Sequence, residues 1–353
     1  MDNLRILIAD SSPVYKKMFT GAVKEADNNA EVVYVDDGIK AKTMILRKLF
    51  DIIIIDVEIR GLELPDFLKY LTKEAPKTFV LVTARPSSTS AKIFMEAMSI
   101  GASDSMTKPI YDSYNENFDI IKHRMADVIT MLRTEGKPKK IKPVPVSSKA
   151  KAPPSEKPAS TKQFRPQIIL IAVSTGGPRA LETIIPFLRV NLPVPVLIVQ
   201  HMPSHFIEKL AQRLDAQSLL TVKVAEDGEK VKGGTVYLAP GGVHMRLNAD
   251  DEIYLDDSPP INGVRPAADA LFESIAEDFS GSRVLAVVLT GMGQDSHRGL
   301  AVLKDKKRCL CIAQSEKTCV VFGMPRAVIE ADLADKILDL DDIASEIEGF
   351  NYI

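Results

Sequence analysis

Short apolar runs rich in Ile, Val and Leu alternate along this chain with stretches of helical period, and no other feature restricts its fold as far. Before Glu135 the runs are RILIA, EVVYV, DIIIID, FVLVT and SDSMT, each followed by an amphipathic stretch, the last from Asp112 to Arg133. Buried strands joined by helices predict a parallel sheet covered on both faces. Beyond Pro166 the alternation resumes with IILIAV, VPVLIVQ, LTVKVA, VLAVVLT and RCLCIAQ. A glycine-punctuated patch, GGTVYLAPGGVHMRLNADDEIYL, interrupts the second series and reads as hairpins. The expected class is α/β throughout, with a doubly wound second sheet that carries a small antiparallel section.

Between the two series lies EGKPKKIKPVPVSSKAKAPPSEKPASTKQFRP, dense in Pro, Lys and Ser and poor in bulky apolar residues. Such a segment buries too little surface to offset its ordering entropy, so residues 135–166 are expected to form a flexible, partly extended linker. The expected domains are then 1–134 and 167–353, in keeping with a 353-residue chain being more than one core usually organises. A nucleic-acid tail would also be basic. The linker interleaves no aromatic beyond Phe164, however, and a net charge of −2 gives no case for nucleic-acid binding by the whole chain. No apolar run approaches about 18 residues, so no membrane insertion is expected. The start, MDNLRILIAD, is too short and too acidic at its flanks for a signal sequence. Three cysteines, Cys309, Cys311 and Cys319, predict reduced thiols in a cytoplasmic compartment. Cys309 and Cys311 alternate on one strand and should face the same side as buried thiols.

Functional groups of an open parallel sheet collect at the carboxyl ends of its strands. In the first domain those ends carry Asp10, Asp56 and Thr83, with Lys108 and Pro109 following the fifth strand. A lone aspartate there is commonly a helix cap. Two carboxylates, a hydroxyl and an amine on one rim instead make a site. The carboxylates would hold Mg²⁺, which takes one or two of them and keeps several waters. An aspartate beside the cation would accept a phosphoryl group, with Lys108 balancing the added charge.

The motifs IADSS, IIIIDVE, LVT and TKP resemble the receiver domain of two-component response regulators over about Leu4 to Arg133. The resemblance implies a flavodoxin-like five-stranded sheet. It makes Asp56 the phosphoacceptor, Asp10 with Asp56 the Mg²⁺ ligands, and Thr83 and Lys108 the phosphoryl contacts. Three departures bear on the switch: Ser11 stands where a second acidic residue is usual, IRGLELPD follows the acceptor in place of the usual MP…DG, and Ser105 replaces a frequent aromatic.

In the second domain IILIAVSTGGPRALE carries Ser174 out of a buried strand into a Gly-Gly-Pro turn. Pro178 suits the first turn of a helix. Neither a phosphate loop nor the GxSxG elbow is present, so locally Ser174 is either a nucleophile or part of an ordinary connection. His201 follows the next strand, and Asp295 lies in a glycine-rich turn after VLAVVLT. On one rim the three compose a triad, in which a histidine takes the serine proton and a carboxylate orients the histidine. The turn Gly291-Met292-Gly293 would aim a backbone N–H at the oxyanion.

The segments STGGP, VLIVQHMP, RLDAQS, VYLAPGGVHM, RPAAD, VLTGMGQD and VVFGMPRAV, in order, resemble the catalytic domain of the chemotaxis protein-glutamate methylesterases, the CheB family, over Ile168 to Ile329. That resemblance implies Ser174, His201 and Asp295 as catalytic residues and Met292 as the oxyanion donor. It implies hydrolysis of glutamate γ-methyl esters, with deamidation of glutamines, on the cytoplasmic helices of chemoreceptors, and a chemotaxis histidine kinase as phosphodonor. No cofactor is implied in the esterase domain. Val173 stands where a small residue is usual, and Ser296 and His297 follow the aspartate where a glycine is usual. The rival reading is a non-catalytic response regulator that binds receptors or the kinase. His123 reads as a surface residue, His244 as structural, and His297 as a solvated residue one turn into a helix.

Overall fold

The computed structural model describes residues 3–134 and 164–352, which belong to two compact units. Most of the expected linker, 135–163, lies outside the described residues. Its last three positions belong to the second unit. Phe164 is buried there edge-on against Phe350, at 5.9 Å between centroids, and Arg283 Nε donates to the Arg165 carbonyl at 2.6 Å.

The first unit runs β1 (Arg5–Ala9), α1 (Pro13–Ala26), β2 (Glu31–Val35), α2 (Gly38–Arg47), β3 (Ile52–Asp56), α3 (Leu64–Glu74), β4 (Phe79–Ala84), α4 (Ser88–Ile100), β5 (Asp104–Thr107) and α5 (Tyr114–Thr134). Its five strands are parallel in the order β2-β1-β3-β4-β5. β3 and β4 are buried along their whole length, as strands covered on both faces require.

The second unit runs β6 (Ile168–Val173), α6 (Gly177–Ile184), a 3-10 turn (Ile185–Phe187), β7 (Val196–Gln200), α7 (Ser204–Gln217), β8 (Thr221–Val224), β9 (Thr235–Leu238), β10 (His244–Leu247), β11 (Ile253–Asp256), α8 (Ala268–Glu277), β12 (Arg283–Val288), α9 (His297–Lys306), β13 (Arg308–Gln314), α10 (Gly323–Glu330), β14 (Lys336–Leu338) and α11 (Leu340–Gly349). Seven parallel strands lie in the order β14-β13-β12-β6-β7-β9-β8. The chain starts at the central β6, builds outward through β7, then crosses back to β12. The gap between β6 and β12 is therefore a topological switch point, where open α/β sheets place their ligands.

The hairpin expectation holds for β10 and β11, which pair antiparallel and pack Met245, Leu247 and Ile253 into the core with Leu271, Phe272 and Ile275 of α8. It fails for TVYL. That segment is β9, a strand of the main sheet parallel to β7 and β8. All four residues are buried, so it offers no polar face to solvent. The preceding glycines feed the strand into the sheet. Gly234 has φ +77°, and a Cβ on Gly233 would lie 2.5 Å from the Pro193 backbone. The short β14 was not anticipated. His297 is the first residue of α9 and half-buried, not a solvated residue a turn further in.

Candidate active site and phosphoacceptor rim

On the rim of the first unit, Asp10, Asp56, Thr83 and Lys108 are all almost fully buried. Each aspartate folds one oxygen onto the loop that follows it. Asp10 Oδ1 accepts from Ser12 N at 2.8 Å, and Asp56 Oδ1 accepts from Glu58 N at 2.6 Å. The other oxygens face Lys108, whose Nζ hydrogen-bonds Asp56 Oδ2 and lies 2.7 Å from Asp10 Oδ2. The second contact is an ion pair without hydrogen-bond alignment, so Asp10 Oδ2 is buried and keeps open acceptor capacity. Burial pulls the Lys108 pKa below that of an ordinary lysine, against the opposing pull of Asp10. The Tyr15 ring lies 4.7 Å from the same ammonium. Thr83 Oγ1 donates to the Ile55 carbonyl at 3.4 Å, and Ser11 is exposed. Among the described residues no set of three His, Cys, Asp or Glu side chains is placed to hold a metal. The two buried carboxylates, whose outer oxygens both face Lys108, suit Mg²⁺ in a site completed by water.

In the second unit β6 and β7 are paired up to Val173 and Gln200, so Ser174 and His201 are the next residues on adjacent strands. The two segments are tied together. His201 N donates to the Val173 carbonyl at 3.2 Å, and Gln200 Nε2 reaches the carbonyls of both Ser174 (3.0 Å) and His201 (3.2 Å). Ser174 N donates to Thr290 O at 3.0 Å, which fixes the serine against the strand end of β12. The turn is glycine for steric reasons. Gly176 has φ +80° as the N-cap of α6, and a Cβ on Gly177 would fall 1.9 Å from Gln200 Oε1. Ser174 therefore stands just before the positive end of α6.

Asp295 completes the group. Its Oδ2 lies 2.7 Å from His201 Nε2 and 2.6 Å from Ala268 N, and its Oδ1 accepts from Asp269 N at 3.0 Å. Burial works against its charge. The hydrogen bond and charge of His201, with the two amides of α8, outweigh burial and hold its pKa below the usual carboxylate value. Because Nε2 faces Asp295, Nδ1 is the ring nitrogen left to exchange a proton. Met292 is half-buried and follows Gly291, where a Cβ would lie 2.9 Å from Ser174 Cβ. The Gly291 amide is already committed to the Val321 carbonyl at 3.0 Å.

The remaining expectations divide plainly. His244 is fully buried, accepts from Ala267 N at 3.1 Å and contacts Pro259 O at 3.2 Å, so it is structural. His123 is exposed. Cys309 and Cys311 face the same core and are free thiols. Gln200 and Thr290 were not singled out from the sequence. Thr290 Oγ1 bonds the Thr175 carbonyl at 2.9 Å and accepts from Val320 N and Val321 N, tying the serine turn to the loop before α10. No sequence signal marks either residue, because their partners are backbone atoms brought in by the fold.

A serine before a helix N-terminus, beside a histidine held by a buried aspartate, is the arrangement used by serine hydrolases of the α/β class. Here it follows a unit whose rim is built like that of a phosphoacceptor. The chain belongs to the CheB methylesterase family, whose model matches residues 169–347, and a response regulator receiver domain matches residues 6–116. The protein-glutamate methylesterase/protein-glutamine glutaminase of Geobacillus kaustophilus is 36% identical over 352 residues, 98% of both chains. The Thermotoga maritima protein of the same name is 37% identical over 339 residues, 95% of both. The crystal structure of the Thermotoga maritima CheB methylesterase catalytic domain shares 47% identity, covers 52% of this chain and 98% of its own, and superposes with a TM-score of 0.49.

Proposed function

We propose that this protein is a cytoplasmic, phosphorylation-regulated methylesterase of chemotaxis. It hydrolyses glutamate γ-methyl esters on chemoreceptor cytoplasmic domains and deamidates glutamines at such positions. The observation that carries this reading is the His201–Asp295 pair at 2.7 Å, set beside the Ser174 turn at the switch point of the sheet. Ser174 Oγ attacks the ester carbonyl carbon as its proton passes to His201 Nδ1. Asp295 holds the ring through Nε2 and stabilises the imidazolium. Met292 N–H, with the positive end of α6, stabilises the oxyanion. The tetrahedral intermediate breaks its C–O bond, and methanol leaves with the proton from His201. Water, deprotonated by His201, then cleaves the acyl-enzyme to glutamate and restores Ser174. With a glutamine the leaving group is ammonia.

Asp56 is proposed as the phosphoacceptor, with a chemotaxis histidine kinase as donor. Mg²⁺, when bound, neutralises charge on the phosphoryl group. Asp10 and Asp56 would hold it, and Thr83 and Lys108 would contact the phosphoryl oxygens. The test is methanol release from a methylated receptor fragment, with and without a small-molecule phosphodonor and Mg²⁺. Stimulation by the donor that Asp56→Asn abolishes is the expected result. Hydrolysis indifferent to both would remove the regulatory half of the proposal.

A further inference from the structure

We propose that Asp269 positions the Asp295 carboxylate through a reciprocal cap between α8 and α9; the proposal rests on the ester-hydrolysis reading of the site. Asp295 precedes α9 but caps the other helix, accepting from the first two amides of α8, Ala268 N and Asp269 N. Asp269, the second residue of α8, returns the contact. Its Oδ1 accepts from Gly299 N, in the first turn of α9, at 2.7 Å, and its Oδ2 accepts from Asn262 Nδ2 at 3.0 Å. Ser296, at the N-cap of α9, makes no side-chain capping bond. Asp269 thus supplies an acceptor that the start of α9 needs.

The exchange leaves little slack. A Cβ on Gly299 would lie 2.8 Å from Phe272 Cβ and 2.9 Å from Asp269 Cα, so the two helices touch at this point. The turn 289–296, which carries Asp295, is held at one end by β12 and at the other by the start of α9. A shift of α9 carries Asp295 away from His201. Of the two acids only Asp295 contacts the imidazole, and Asp269, 1% exposed, takes no part in the proposed chemistry. Both Asp269 oxygens receive N–H donors, which suits the ionised form. Burial raises its pKa, the Gly299 amide lowers it, the Asp295 charge raises it, and Arg298 and Glu273 add smaller opposite effects. On balance these effects raise the Asp269 pKa above that of an ordinary carboxylate. Its charge is coupled to that of Asp295.

The test follows methanol release from a methylated receptor fragment by the full chain as wild type, Ser174→Ala, Asp269→Ala and Asp269→Asn, each checked for cooperative melting. Asp269→Ala should lower kcat by about 10–100-fold, the usual loss when a partner behind a site residue is removed, with KM changed less than about threefold. Asp269→Asn keeps an oxygen for Gly299, and Asn262 can turn its amide to match. It should recover kcat to within about fivefold. It should also move the acidic limb of kcat/KM to lower pH, because the negative charge coupled to Asp295 is gone. Wild-type kcat in the alanine variant, or an asparagine variant no better than alanine, overturns the proposal. If the alanine chain does not melt cooperatively, the limb of the asparagine variant decides: a downward shift supports the proposal and an unmoved limb overturns it. A wild type no faster than Ser174→Ala sinks the ester-hydrolysis reading and the proposal with it. A normal Ser174 pair with indifferent Asp269 variants overturns the proposal alone.

Discussion

Ser296 shows how much strain one residue beside this site carries. It follows Asp295 with φ +84°, is fully buried, and its hydroxyl has no hydrogen-bond partner. A left-handed non-glycine residue and an unsatisfied buried hydroxyl each cost about 1–3 kcal/mol. Ser296→Gly should therefore raise the unfolding free energy by about 1–3 kcal/mol in urea titration, and a loss of stability would mean the side chain has a compensating contact. Sequence comparison flagged the position as a departure from glycine but gave no burial or torsion. Ser174, His201 and Asp295 were legible as candidates because each follows a recognisable buried strand. Asp269 was legible only as part of RPAAD, since its role depends on an amide 30 residues further along the chain.

At the level of elements, the α6 turn and the β10–β11 hairpin each give a test. Gly177→Ala would drive a methyl into Gln200 Oε1, the side chain that bridges the Ser174 and His201 carbonyls. It should cut methylester hydrolysis by about 10–100-fold, since small misplacements of reacting groups cost that much, and near-normal kcat would show that the bridge adapts. In the hairpin, burial is the main cause holding the His244 pKa below its usual value, against the pull of the Pro259 carbonyl. The neutral ring is the form that accepts from Ala267 N. Its contribution is fully present above the unfolded histidine value of about 6.5 and is lost as pH falls from there toward the folded value. Urea stability should decline over that window, and His244→Leu should flatten the decline; an equal slope in both proteins contradicts the assignment. Asp256, held at about 2 by the Ser258 amide and hydroxyl and by Arg246, loses its contribution only at lower pH, between the usual carboxylate range and about 2. The elements themselves were largely readable as buried strands alternating with helices. TVYL misled because glycines flank it, and glycines serve a close crossing past Pro193 as well as they serve a hairpin. β14 was missed because KIL is three residues long and its central Ile337 is exposed.

At the scale of the chain, the receiver is proposed to set when the esterase acts, and its rim carries Ser11 where a second acidic residue is usual. Were Asp10 and Asp56 the only carboxylates facing a Mg²⁺ ion, its affinity would be limited by charge. Ser11→Asp should tighten Mg²⁺ in calorimetric titration and speed phosphorylation by a small-molecule donor, and equal affinities would remove the argument from the missing charge. Ser174 is the proposed nucleophile of the methylesterase. The most direct measurement of that role is the rate of methanol release from a methylated receptor fragment by wild type and by Ser174→Ala, both folded. Loss of a triad member should reduce that rate by about 10³-fold or more; a variant keeping more than about a tenth of the wild-type rate would contradict the account.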